Sequence, residues 1–151
     1  MVKPIPDGYP QVSPSLVVAG AAEAIDFYIQ VLGGTERMRM GGPDGRVGHA
    51  EIQFGDSLVM LADEYPEMGF RGPQSFGGSP VSILLYVDDC DDMFNRAVAK
   101  GAKIAKPMSD QFYGDRAGTL EDPFGHVWTI ATHKEDLTSE EIMKRAAAAA
   151  S

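Results

Sequence analysis

Apolar and polar positions along this chain run through the same order of patterns twice. Residues 12–18 read as a strand. Residues 21–32 follow with apolar side chains at Ala24, Ile25, Phe27, Tyr28, Ile29, Val31 and Leu32 against a polar face of Glu23, Asp26 and Gln30, the spacing of a helix. Gly33-Gly34 ends it, as a left-handed cap does. A strand at 35–40, a turn at 41–45 and strands at about 47–54 and 57–62, the last two joined by Gly55-Asp56, complete the first round. The second begins with an alternating strand at 81–87 and a helix capped by Asp88 or Asp89, with Met93, Phe94, Ala97 and Val98 on one face. Gly101 ends that helix 68 residues after Gly33, and strands at 105–113, 118–121 and 126–133 follow. The pattern predicts an α+β fold made of two βαβββ modules, at about 12–62 and 80–133, within one domain spanning 1–151.

Three segments lie outside the repeat. The first ten residues hold three prolines and a glycine, which predicts an arm laid on the surface. Residues 63–80 lose periodicity and contain three prolines and four glycines, too long for an ordinary connection. Tyr65, Phe70, Arg71 and Phe76 stand in that stretch, so it reads either as a lid that carries specificity or as a linker between the modules. At the end, Thr138 or Ser139 with the following glutamates caps a helix at about 138–147 whose large apolar groups are Ile142 and Met143.

The hairpin at 115–133, DRAGTLEDPFGHVWTIATH, turns at Asp122-Pro123-Phe124-Gly125, where proline presets φ and glycine relieves the reversal. Together with GAAEAIDFY, AIDFYIQVLGG, HAEIQFGDSLVMLAD and QFYGDR, the segment LEDPFGHVWTI resembles the glyoxalase/bleomycin resistance/dioxygenase (vicinal oxygen chelate) superfamily, in particular its PhnB-like branch. That resemblance implies two modules whose sheets curl into a cup, a ligand inside it, and a homodimer. It does not imply one reaction, because the fold hosts metal-dependent lyases and isomerases, dioxygenases and non-catalytic drug binders.

The resemblance also implies where a metal would be held, on the first strand and a later strand of each module. In this sequence those positions read as Ser13, Glu51, Ser82 and Thr129, and only Glu51 is an effective ligand for a divalent ion. The expected site is therefore metal-free, with no cofactor. A fallback set of His49, Glu51 and His133 is left open, since period-2 alternation puts His49 with Glu51 and Thr129 with His133. His126, on the other face with Trp128, reads as a turn histidine and Trp128 as core.

Without a metal, the candidate ligand-binding residues are Ser13, Ser82, Tyr86, Phe112, Tyr113 and Thr129, with Phe70 and Phe76 from the long loop; Ser15 and Leu84 belong to the same walls. Met60, Met68 and Met108 offer adaptable apolar lining or ordinary core. Glu51 is the candidate catalytic residue, a carboxylate expected to have a raised pKa as a base or to hold a cation, or else a structural partner of Arg116 or Arg39. Arg116 itself reads as an anchor of the hairpin, or as a grip on an anionic ligand. The expected function is binding or sequestration of an antibiotic-like or aromatic small molecule. The alternative is a lyase, isomerase or dioxygenase-type enzyme using Glu51 with or without a divalent metal, and a plain dimeric interaction module is the third reading.

A net charge of −9 excludes nucleic acid and an anionic membrane surface as partners. No stretch reaches a membrane span, and the single cysteine, Cys90, sits among four aspartates that disfavour its thiolate. The expected setting is a reducing cytoplasm.

Overall fold

A computed structural model describes residues 2–150. The chain separates into two compact units, one ending at Gly78 and the other beginning at Ser79. In the first, β1 (Ser15–Val18), α1 (Ala21–Gln30), β2 (Thr35–Gly41), β3 (Val47–Phe54) and β4 (Ser57–Asp63) give a four-stranded sheet in the order β1-β4-β3-β2. The second repeats this with β5 (Ser82–Tyr86), α2 (Cys90–Ala99), β6 (Lys103–Asp110), β7 (Asp115–Glu121) and β8 (Val127–His133), ordered β5-β8-β7-β6. Helix α3 (Ser139–Ala149) follows. The first and last strands of each module pair in parallel and the others antiparallel, so each sheet is mixed. The α+β class and the twofold βαβββ order hold.

Each sheet has one face under its helix and one helix-free face. In the first unit Ala50, Ile52, Leu61 and Val18 are buried, as are Ala24, Ile25 and Tyr28 of α1, and these form the core. Alternation then puts His49 and Glu51 on the helix-free face. Asp63 ties the layers together: its carboxylate accepts from the backbone N–H groups of Gly20 and Ala21 at the start of α1 and from that of Val47. In the second unit Leu120, Trp128 and Ile130 face α2, with Met93, Phe94 and Ala97 opposite. A Cβ on Gly118 would stand 2.8 Å from the Phe94 ring, so glycine permits this close approach of helix and sheet.

The turn at Asp122 is built by its side chain. Buried Asp122 accepts from the N–H groups of Phe124 and His126 and from Trp128 Nε1. Trp128 is thus core, as expected, with its one polar atom satisfied.

Several boundaries differ from the pattern's. Pairing of β1 starts at Ser15, because Pro14 has no N–H to give and contributes only its carbonyl, which accepts from Met60. Ser13 therefore lies outside the strand. Strand β6 runs from Lys103 to Asp110, earlier than expected, and its register shifts around Pro107, which an edge strand tolerates. Strand β7 begins at Asp115. The 63–80 stretch contains short 3-10 turns at Pro66–Met68 and Pro73–Phe76 and is tied to the first unit. Glu64 accepts from Gly72 N–H and the Ser75 hydroxyl, and Arg46 stacks 3.9 Å from the Tyr65 ring centre.

Candidate functional site

Glu51 sits at the centre of the helix-free face of the first sheet, only 4% exposed. Its neighbours across the ladder are Met38 on β2 and Met60 on β4, with Ser15 beyond Met60; Met40 stands across from His49. The Tyr9 hydroxyl donates to Glu51 Oε1 at 2.9 Å, and His49 Nε2 lies 2.9 Å from Oε2. Tyr9 comes from the N-terminal arm, held by Arg37, whose guanidinium donates to the Gly8 carbonyl and stacks 4.5 Å from the Tyr9 ring centre. The expected surface arm is thus part of the site.

These contacts correct the expectations for Glu51. Its pKa is lowered rather than raised, first by the His49 hydrogen bond, against the opposing effect of burial, with Tyr9 and Arg37 adding to the lowering. Neither arginine pairs with it: Arg39 bridges Glu36, and Arg116 bridges Asp91 and Asp110. A carboxylate held ionised is a weak base, and one with both oxygens engaged has little left for a cation.

The second unit carries a parallel arrangement that the sequence reading missed. Asp115, also 4% exposed, accepts from the Tyr86 hydroxyl at 2.6 Å and lies 2.8 Å from His133 Nδ1. His133 Nε2 is 2.7 Å from Asp136, and the two carboxylates together raise the His133 pKa, Asp115 first. The Tyr86 pKa is raised, chiefly because its proton is held by Asp115. Tyr86 and His133 border a surface cleft of about 500 Å³ with Val87, Asp88 and Thr132.

The proposed ligand residues divide between the units. Ser13, Glu51, Phe70 and Phe76 lie in the first, and Ser82, Tyr86, Phe112, Tyr113 and Thr129 in the second. The Ser13 hydroxyl oxygen is buried without a partner. Phe70 and Phe76 are exposed, Phe76 beneath the Arg71 guanidinium at 4.4 Å. Ser82, Leu84 and Tyr86 share the exposed side of β5, and Phe112 and Tyr113 form an edge-to-face pair in the turn before β7. Thr129 exchanges a hydrogen bond with Thr119. Met60 borders Glu51, Met68 is exposed in the long loop, and Met108 lies in β6 beside Gly118. Arg116 grips Asp91 at the start of α2 through two bonds of 2.8 and 2.9 Å and also meets Asp110, so it anchors the hairpin and has no grip left for an anionic ligand. Cys90 is buried, its thiol against the Arg116 carbonyl.

The four positions implied by family likeness do not suit a metal. Glu51 is engaged by Tyr9 and His49, Thr129 by Thr119, and the other two offer neutral hydroxyls. Ladder order adds that Glu51 and Thr129 are not equivalent: β8 corresponds to β4, so Met60 is the counterpart of Thr129. The members of the fallback set are each already engaged within their own unit. His49 bonds Glu51, whereas His133 is bound by Asp115 and Asp136, and among the described residues no three His, Cys, Asp or Glu side chains are placed to hold a metal ion.

A family model described as "Glyoxalase/Bleomycin resistance protein/Dioxygenase superfamily" matches residues 10–130. An uncharacterized protein of Mycobacterium tuberculosis is 43% identical over 136 residues, covering 88% of this chain and 80% of the relative. Among solved structures, a PhnB protein from Bacillus cereus superposes with a TM-score of 0.66 at 19% identity, covering 82% of this chain and 99% of that one. TnmS3, an antibiotic binding protein from a Streptomyces species, superposes with a TM-score of 0.60 at 22% identity, covering 81% of this chain and 93% of that one.

Proposed function

Because this chain belongs to the Glyoxalase/Bleomycin resistance protein/Dioxygenase superfamily, we propose that it binds an aromatic, antibiotic-like small molecule on the helix-free face of its first sheet, without a metal or other cofactor. The observation that carries this reading is the setting of Glu51. Met38, Met40 and Met60 surround a compact polar cluster, and methionine lines a pocket adaptably while making favourable sulfur contacts to rings. The antibiotic-binding likeness of TnmS3 supports the same class of ligand. The donor set, in which the one carboxylate is already engaged, supports a site that works without a metal.

Calorimetry with a panel of aromatic antibiotics and simple phenols, before and after dialysis against a chelator, tests this. Saturable binding unchanged by chelation is the expected result. A stoichiometric divalent ion lost together with binding would overturn it. Substituting Met60 by Glu, which puts a second carboxylate beside Glu51, should weaken binding at least tenfold.

A second reading, turnover of lyase, isomerase or dioxygenase type at the same cluster, is favoured by one specific observation: His49 faces the ligand side with a ring nitrogen to spare. It predicts product formation that His49→Gln abolishes. As part of the favoured reading we also place the protein in the cytoplasm as a homodimer, which light scattering of the purified chain tests. Among the described residues no helix is long and apolar enough to cross a membrane.

A further inference from the structure

The cluster on β3 also determines what its ligand must offer. Glu51 is only 4% exposed and both its oxygens already accept from Tyr9 or His49, so little of the carboxylate is open to an ammonium group arriving at the face. The Tyr9 hydroxyl proton points to Glu51, and Glu51 itself is ionised, so Glu51 has no proton to give and His49 Nε2 must be the donor in that pair. In the neutral ring the other nitrogen, Nδ1, is then a lone-pair acceptor. No described residue bonds to it. The side chain is 35% exposed, with Met40 directly across the ladder, so the nitrogen opens beside an apolar lining.

We propose that the ligand of this face is a weakly acidic aromatic hydroxyl compound, a phenol or hydroxyquinone, whose hydroxyl donates to His49 Nδ1. This rests on the binding reading above and names the ligand class for the same face. On binding, the ligand O–H bond breaks with its electron pair left on oxygen, and an N–H bond forms at Nδ1. The resulting imidazolium lies between the phenolate and Glu51, the arrangement in which a buried carboxylate stabilises a charged histidine. The charged groups around it are then Glu51 on the same strand, the phenolate, and Arg37 on β2 over Tyr9; the cross-strand neighbours Met38, Met40 and Met60 carry no charge. Two positive and two negative charges balance, so an anion is accommodated on an otherwise acidic protein.

The probe is 4-nitrophenol, whose phenolate is yellow, held below its own pKa, with its methyl ether 4-nitroanisole as control and the full-length protein as receptor. The expected result is a phenolate absorbance that saturates with protein, affinity for the phenol about tenfold or more above that for the ether, and loss of the phenolate band in His49→Gln. Glu51→Gln, which keeps the shape but not the charge, should reduce the band while circular dichroism reports an unchanged fold. A phenol bound without the band, a band that persists in His49→Gln, or an ether that binds as well as the phenol would overturn this proposal and leave the binding reading standing. If neither compound binds, this proposal falls, and the panel of aromatic antibiotics decides the binding reading separately.

Discussion

The two units hold the same three chemical parts, a buried carboxylate, a tyrosine hydroxyl and a histidine, and arrange them to opposite ends. In the second unit Asp115 and Asp136 engage both nitrogens of His133, which favours its charged form and leaves neither nitrogen open. In the first, Glu51 engages one nitrogen of His49 and leaves the other open. The setting matches the difference. Residues after His133 are tied down where Lys134 and Glu135 donate to the Gly114 carbonyl, whereas His49 lies among methionines. One trio is a clamp and the other is an acceptor, and a single additional carboxylate separates them.

The largest effect expected from breaking this contrast is on stability. Asp115→Ala orphans the Tyr86 hydroxyl and the His133 ring together and should cost about 2–3 kcal/mol in urea unfolding. Glu51→Ala, one of whose donors, Tyr9, comes from the N-terminal arm outside any strand or helix and can move away, should cost about 1–2 kcal/mol. The reverse order would show that the first cluster, not the second, is the structural one.

Next is the pH profile. The His133 pKa is raised above its ordinary 6.5, so its contribution is fully present below that value and is lost as pH rises through the folded-state pKa. For Glu51 the sign is opposite: lowered from 4.5, it stabilises above that value and its contribution disappears as pH falls through the depressed pKa. Urea midpoints should therefore decline on both sides of the interval between the two ordinary values, with His133→Asn removing the alkaline decline and Glu51→Gln the acid one.

The smallest effect sharpens the comparison most. Asp136 is 99% exposed, so Asp136→Ala should barely change stability, yet it frees His133 Nε2 and turns the clamp toward the form of the first cluster. A downward move of the His133 pKa in an NMR titration is the expected outcome; an unmoved value would mean that Asp115 alone sets it.

The α+β class, the doubled order of strands and helices, and the closing turn were legible in the sequence because they rest on local signals. Alternation at 47–54, the face of α1 and the Asp122-Pro123-Phe124-Gly125 turn each carry their own physics. Edges were less legible. Ser13 fell outside β1 because Pro14 removes a ladder donor without changing the polarity pattern, and β6 started early because its first residues, Lys103 and Ile104, are set by pairing with Glu121 and Leu120 of β7. The site was legible only in part. Glu51 and His49 share a face by alternation, but their hydrogen bond and the sign of the Glu51 shift depend on rotamers and on Tyr9, which arrives from a segment forty-two positions away with no periodic signal. Asp115 was passed over for a related reason: YGDR reads as a turn, and only the pairing of Asp115 with His133 shows that β7 begins there.

The central claim is the open nitrogen of His49, and long-range nitrogen–proton NMR of the histidine rings tests it most directly. The account predicts that the neutral His49 ring carries its proton on Nε2 with a bare Nδ1, and that the His133 ring, its pKa raised by Asp115 and Asp136, keeps protons on both nitrogens to higher pH than a free imidazole. A His49 protonated at Nδ1, with Nε2 bare toward Glu51, would contradict it.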